Sequence, residues 1–431
     1  MKKVLIFTYY WPPAGGIAVQ RFMKFAKYLP QYGWEPIIIT VKSGSYPFAD
    51  ESLVKELAPD LRVYHTDTFE PFELYNLLRG KKGKTIPQVM VASKGKKSLF
   101  QRFSEYIRAN YFIPDARKGW KPYALRQAAE IISTEKIDAI ITAGPPHSTH
   151  LTGMELQRKF NIKWIADFRD PWTGIFYNQF LPRTKSSKDK DSMLEKEVLR
   201  HADCTVVISN GMKDMFAEQA KRLEVIYNCY DDEKFSKPES DGVPEKGFLF
   251  TYTGNLLATQ DVPRLWEAFA EVKAQCPELK LLIIGNADDA VKRSISEAGI
   301  DDMVIYKSYM PHREVVNYMW YSQILLFLLA NVADNKLLMT GKIFEYLPTG
   351  TELMGIGPVD GSAQDALAIS HRPPIIDYED KASMKTRILE AYEIWKENGK
   401  GRKFEDPAYQ YFSATNITKQ LAGLLDELTG N

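Results

Sequence analysis

Cysteine, histidine and long apolar runs are all scarce in this 431-residue sequence, and each scarcity excludes something. Cys204, Cys229 and Cys276 are scattered, odd in number and far from any Cys-x-x-Cys spacing. Neither a disulfide framework nor a zinc site follows, and a reducing compartment is the simpler setting. His147 and His150 stand three apart, but no third ligand candidate lies near them. No stretch approaches the roughly 20 apolar residues needed to cross a bilayer. The opening run Val4-Leu5-Ile6-Phe7 is too short for the core of a signal peptide, and Trp11-Pro12-Pro13 follows with no small-residue cleavage site. A soluble, cytoplasmic protein is therefore expected. A formal charge of +1 gives no global attraction for nucleic acid or membrane, so no nucleic-acid partner is expected and any membrane contact must be local.

What is present suits packed cores: 45% apolar and 12% aromatic residues, in a chain long enough for two domains. Short apolar runs fall into two series. The first is Val4–Phe7, Ile37–Val41, Ala139–Thr142, Trp164–Ala166 and Thr205–Ile208; the second is Leu249–Thr253, Leu279–Ile284, Val304–Tyr306, Ile324–Leu329 and Leu353–Ile356. Runs with so few polar interruptions suit strands buried on both faces. Their alternation with helical patterns such as Val19–Tyr32 and Arg264–Gln275 predicts βαβ units, an α/β fold with two doubly wound parallel sheets. The stretch Asp231–Lys246, rich in Asp, Lys, Pro, Ser and Gly, reads as the connection between them. Domains of 1–225 and 226–408 follow, and helical spacing in Lys381–Asn398 and Tyr409–Leu428 closes the chain. Gly80–Arg108 departs from the plan: lysines and arginines alternate with apolar residues there, as on a helix lying on an anionic membrane or in a solvated loop leading into an ordinary helix.

Three loops at strand ends could carry chemistry. After the first strand, Pro13-Ala14-Gly15-Gly16 would let the backbone approach a phosphate at the start of the next helix, although a Gly-Gly pair alone is mostly a turn. It is not a GxGxxG pattern, so a dinucleotide-dependent oxidoreductase gains little. After another strand, Thr340-Gly341-Lys342-Ile343-Phe344-Glu345 combines a helix cap, backbone donors and an ammonium suited to a diphosphate, with Glu345 placed for ribose hydroxyls. The same residues equally suit a plain helix start with a surface lysine and an exposed glutamate. His147, in Gly144-Pro145-Pro146-His147, could hydrogen-bond a sugar hydroxyl or shuttle a proton. The neighbouring strand end Asp167-Phe168-Arg169-Asp170 holds an internal ion pair, either Asp167–Arg169 or Arg169–Asp170, with acceptor binding by Arg169 and Asp170 as the other reading. No Gly-x-Ser-x-Gly elbow, Walker loop, HExxH or repeated DxD occurs, so no metal site is expected.

In order and spacing, these segments resemble the GT-B-fold glycosyltransferases of the family-4 type along nearly the whole chain. The markers are Tyr10–Gly16, Pro114-Asp115, Gly119-Trp120, Pro145–His147, Ala166–Trp172, Val207–Ser209, Val225–Asn228, Tyr252–Asn255 and Gly341–Leu347. The resemblance implies two Rossmann-like domains facing across a cleft, the last helix returning to the first. It implies a retaining, metal-independent transfer from a UDP- or GDP-sugar to a lipid-linked or polysaccharide acceptor in cell-surface glycan synthesis, with no further cofactor. Gly15 and Gly16 would meet the donor's distal phosphate, and His147, the catalytic candidate, the transferred sugar. Glu345 would hold the ribose as the second glutamate of a Glu-x7-Glu motif, with Tyr309 and Met310 at the nucleobase. The chain departs from the family pattern at three charged positions. The first glutamate falls on Leu337, and the usual Arg and Lys after the Gly254 strand fall on Asn255 and Gln260. Lys342 offsets part of that loss. A non-catalytic binding or assembly protein is the alternative, and a sugar-nucleotide epimerase a weaker one.

Overall fold

The computed structural model describes residues 1–44, 46, 49–69, 99–175, 178, 181–238 and 242–430. It divides into two compact units, Met1–Tyr227 with Ile417–Asn431, and Asn228–Asn416. Each is a parallel sheet flanked by helices.

In the first unit seven strands run in the order β3-β2-β1-β4-β5-β6-β7. They are β1 Lys2–Phe7, β2 Trp34–Val41, β3 Arg62–Thr66, β4 Ala139–Gly144, β5 Lys163–Phe168, β6 Cys204–Val207 and β7 Leu223–Val225. The order reverses between β1 and β4, where Phe7 pairs with Thr142, and Gly144 pairs with Phe168 on β5. The loops after β1, β4 and β5 therefore leave the sheet side by side at its switch point, where open α/β sheets bind ligands. In the second unit the order is β10-β9-β8-β11-β12, built from β8 Phe248–Thr253, β9 Leu279–Ile284, β10 Val304–Lys307, β11 Ile324–Leu328 and β12 Glu352–Ile356. Its reversal lies between β8 and β11, so the loops 254–262 and 329–340 share the corresponding edge. Every residue of β8, β11 and β12 is buried, which is why these strands read as unbroken apolar runs.

The final helical segment is not continuous. A 3-10 turn, Pro407–Phe412, precedes the helix Ala414–Thr429. Between them the backbone pairs with Tyr230, whose N–H donates to Phe412 C=O at 3.1 Å and whose C=O accepts from Ala414 N–H at 3.0 Å. Of the basic stretch 80–108, residues 80–98 lie outside the described residues; the rest enters the helix Leu99–Tyr111, where Tyr106 and Tyr111 are exposed. Among the described residues no helix is long and apolar enough to cross a membrane.

One buried ion pair organises the first unit, and it is not Asp167 with Arg169. Arg21, in the helix Ile17–Tyr28, donates to Asp167 Oδ2 from Nε (3.1 Å) and Nη2 (2.9 Å). It also donates to the carbonyls of Tyr227 (2.7 Å) and Ile226 (3.0 Å). Burial pushes the Asp167 carboxyl up while Arg21 pulls it down. Arg169 pairs with Asp170 instead, at 3.0 Å. One guanidinium thus ties the helix after β1 to the end of β5 and to the last residues of the unit. Arg21→Ala or Asp167→Ala should each lower stability by about 3–5 kcal/mol, because each leaves a buried charge unpaired. Denaturant unfolding followed by tryptophan fluorescence checks this, and a loss under about 1 kcal/mol would contradict it.

Candidate functional site

In the second unit the loop after β8 and the helix Gly341–Tyr346 are bound together by tyrosines. The Tyr346 hydroxyl lies 3.1 Å from Thr253 N and 2.9 Å from Thr253 Oγ1, so the last residue of the helix is held at the end of β8. Lys342 then reaches back over β8. Its Nζ stands 3.9 Å from the centroid of the Tyr252 ring and donates to the Tyr252 hydroxyl, which donates onward to Asn255 C=O at 2.9 Å. Gly254 leaves room for this contact. It sits at φ +94°, and a Cβ there would lie 3.0 Å from Lys342 Cε. Burial pushes the Lys342 amine down to about 7, with Glu345 pulling it back up.

The remaining second-unit candidates separate into inward and outward groups. Gln260 is buried, donating from Nε2 to Leu328 C=O (2.8 Å) and accepting at Oε1 from Leu257 N–H (3.2 Å), so its amide bridges the loop after β8 to the end of β11. Gly254 and Asn255 are exposed, Glu345 is half-buried, and Tyr309 is 91% exposed. Met310 packs on a small cluster of Leu282, Ile284 and Tyr318. Thr340 occupies the cap position, yet its side chain makes no capping hydrogen bond and its Oγ1 is buried without a partner among the described residues. The helix has only six residues, so its dipole contributes less than the sequence pattern suggested.

In the first unit Gly16, at φ +108°, begins the helix Ile17–Tyr28, and its C=O accepts from Val19 N–H (3.1 Å) and Gln20 N–H (3.2 Å). Gly15 and Gly16 are both partly accessible. His147 caps the helix Ser148–Phe160, whose first residue is held by Asp115: Ser148 N–H and Oγ–H each donate to its carboxylate at 2.8 Å. The His147 ring is stacked on Trp172 with centroids 5.0 Å apart and planes at 6°. Nδ1 of the ring is buried and has no hydrogen-bond partner among the described residues. Burial pushes its pKa down to about 3, so the ring is neutral near pH 7 and acts as a hydrogen-bonding group, not as an imidazolium acid. His150 is fully buried, stacked on Phe168 at 4.5 Å with Nδ1 2.9 Å from Thr142 Oγ1. Among the described residues no group of three or more His, Cys, Asp or Glu side chains could hold a metal ion. Two roles were missed from sequence: Tyr252 lay within the marker Tyr252–Asn255 with no role of its own, and Arg21 gave no motif signal, because each acts through a partner far along the chain.

Two doubly wound parallel sheets in one chain, with loops gathered at their switch points, define the GT-B class. The whole chain matches solved structures of that class. They include sucrose-phosphate synthase from Thermosynechococcus elongatus (TM-score 0.64, 15% identity, 99% of each chain covered). Others are HepE of Anabaena in complex with UDP and glucose (0.61, 14%, 99% of this chain and 100% of that) and the lipopolysaccharide outer core galactosyltransferase WaaB (0.54, 13%, 99% of each). Identities this low speak for the fold alone. Comparison with curated protein sequences gives no match. The model of Glycosyltransferase Family 4 matches residues 74–234, and that of Glycosyl transferases group 1 matches residues 233–331. Over residues 74–331 the chain resembles the family-4-like GT-B glycosyltransferases.

Gly144 is fixed by the histidines. A Cβ on it would lie 2.3 Å from His150 Nε2 and 2.8 Å from His147 Nδ1, closer than real contacts allow. Gly144→Ala should cost about 1–3 kcal/mol, as overpacking does. A thermal unfolding midpoint equal to that of the unsubstituted protein would contradict it.

Proposed function

We propose that this glycosyltransferase moves a sugar from a UDP- or GDP-sugar onto a lipid-linked or polysaccharide acceptor, with retention and without a bound metal ion. The observation that carries the reading is the Lys342 amine, partly withdrawn from water against Tyr252 and reaching Gly254. An ammonium in such a place gains more from a diphosphate than a solvated lysine does, because the low local dielectric strengthens the attraction. Lys342 thereby takes over work that Asn255 and Gln260, both uncharged, do not do. Glu345 lies three residues further along the same helix and accepts the vicinal ribose hydroxyls. Tyr309, almost wholly exposed, offers a ring face to the nucleobase.

In the transfer, the bond between the anomeric carbon and the leaving phosphate oxygen breaks. The acceptor oxygen bonds to that carbon on the same face, and its proton passes to the departing phosphate. No protein nucleophile is needed. His147, neutral and stacked on Trp172, contributes a hydrogen bond to the transferred sugar and no proton. Gly15 and Gly16 contribute backbone to the distal phosphate, and the Arg169–Asp170 pair is assigned to the acceptor.

The missing charges at Leu337, Asn255 and Gln260 support a second reading, a protein that binds a nucleotide sugar and does not transfer it. Incubation with UDP-glucose or GDP-mannose and lipid-linked acceptors separates the two: nucleotide release with glycosylated product supports transfer, and binding without product supports the second. Lys342→Met should weaken UDP or GDP binding roughly ten- to a hundredfold, the worth of one charge-assisted contact. Glu345→Ala should weaken it about tenfold through the lost ribose contacts. Both are read by titration calorimetry, and unchanged affinity would remove the residue from the site. His147→Ala should lower turnover more than donor affinity, whereas equal losses in both would make it a binding residue only.

A further inference from the structure

The setting of His147 points beyond the residues already assigned. Its ring face lies flat on Trp172, with centroids 5.0 Å apart, in a single loop of the first unit. That loop follows β5 and is held by two carboxylates that no assigned step uses. Both come from the helix Lys185–His201, at positions four apart and so on one face. Asp191 accepts from Trp172 Nε1 at 2.8 Å and pairs with Arg183 through its other oxygen. Glu195 accepts from Thr173 N–H at 3.0 Å and from the Thr173 hydroxyl. Asn178 closes the loop on itself, donating to the carbonyls of Trp172 (2.9 Å) and Thr173 (3.3 Å).

Both carboxylates are buried, Asp191 to 1% and Glu195 to 5% exposure. Withdrawing carboxylates from water costs several kcal/mol each before their partners offset it, so surface anchoring of a loop is more cheaply done with neutral residues. The arrangement makes sense where the direction of the loop matters. Trp172 is the only link in the chain Asp191–Trp172–His147 that touches both ends, through its N–H on one side and its ring face on the other. Burial pushes both carboxyls up, and the donors from Trp172 and Thr173 pull them back.

We propose that Asp191 and Glu195 are positioning residues for His147, acting through Trp172 and Thr173 to fix the orientation of its ring. The proposal rests on the reading that His147 meets the transferred sugar, and the experiment keeps the two apart. Trp172→Phe keeps an aromatic face but removes the N–H that Asp191 holds; Asp191→Asn is the second variant should the first not fold. In protein carrying ¹⁵N-labelled histidine, the imidazole spectrum of the unsubstituted protein at pH 5 should show His147 neutral and in a single tautomeric form. Either variant should add the other tautomer or a protonated ring. An unchanged His147 spectrum in both folded variants would overturn the proposal, whatever the activity does.

UDP release from UDP-glucose supplies the second arm. Trp172→Phe should lower turnover about tenfold in the unsubstituted background and less than about twofold beside His147→Ala, since both act at one point. Equal effects in the two backgrounds would show that the clamp works by some route other than His147 and would overturn the proposal. Undiminished turnover in His147→Ala alone would instead overturn the sugar-contact reading, and the imidazole spectrum would still decide whether the carboxylates hold the ring.

Discussion

The second unit's chemistry depends on one contact, the Lys342 ammonium against the Tyr252 ring and hydroxyl. Everything near it is arranged to permit that contact. Tyr346 binds the last residue of the helix to the end of β8, Gly254 omits the side chain that would push the lysine aside, and the Tyr252 hydroxyl donates its own hydrogen bond to Asn255 C=O. The result is a cation that is partly stripped of water yet, among the described residues, has no carboxylate bonded to it; Glu345 acts on it only through the field. Such a cation is costly in the free protein and becomes favourable when an anion arrives. That difference between free and bound states is what the proposed donor site rests on.

The first unit solves a different problem, that of holding loops from three adjacent strands in fixed directions. Arg21 does this from beneath, joining the helix after β1 to Asp167 on β5 and to the carbonyls at the end of the unit. Asp115 holds the start of the helix after β4, and the carboxylates of Asp191 and Glu195 hold the loop after β5. Each clamp sets an acid against a donor on a different element, with Asp167, Asp191 and Glu195 buried and Asp115 half-buried. His147 lies where these clamps meet, and its neutrality follows from the same burial.

Much of the sheet architecture was legible in the sequence because strands buried on both faces cannot hide their apolar runs. Leu249–Thr253, Leu279–Ile284 and Ile324–Leu329 coincide with β8, β9 and β11 to within a residue. The edge strands β3 and β7 were not legible. Arg62–Thr66 carries Arg62, Tyr64 and His65 because only one neighbour flanks it, and Leu223–Val225 is three residues long. The break at Ser413 escaped as well, since helical spacing runs through it and only pairing with Tyr230 interrupts it. At the site, Lys342 was legible from its place at a helix start. Its partner Tyr252 was not, being an inward strand residue like its neighbours. The Arg21–Asp167 pair was invisible for a similar reason, its members lying 146 positions apart.

The central claim is that Lys342 receives the donor diphosphate, and proton linkage tests it most directly. In the free protein burial holds the amine at about 7, so above that pH a growing share of molecules carries it neutral. A bound diphosphate favours the ammonium and raises its pKa, so binding must take up protons and weaken as pH rises. Calorimetric titration of UDP or GDP between about pH 7 and 9 avoids the phosphate's own ionisation near 6. In buffers of different ionisation enthalpy it should show fractional proton uptake and falling affinity, and Lys342→Met should abolish both. Heats that do not depend on the buffer, with affinity flat across that range, would contradict the account.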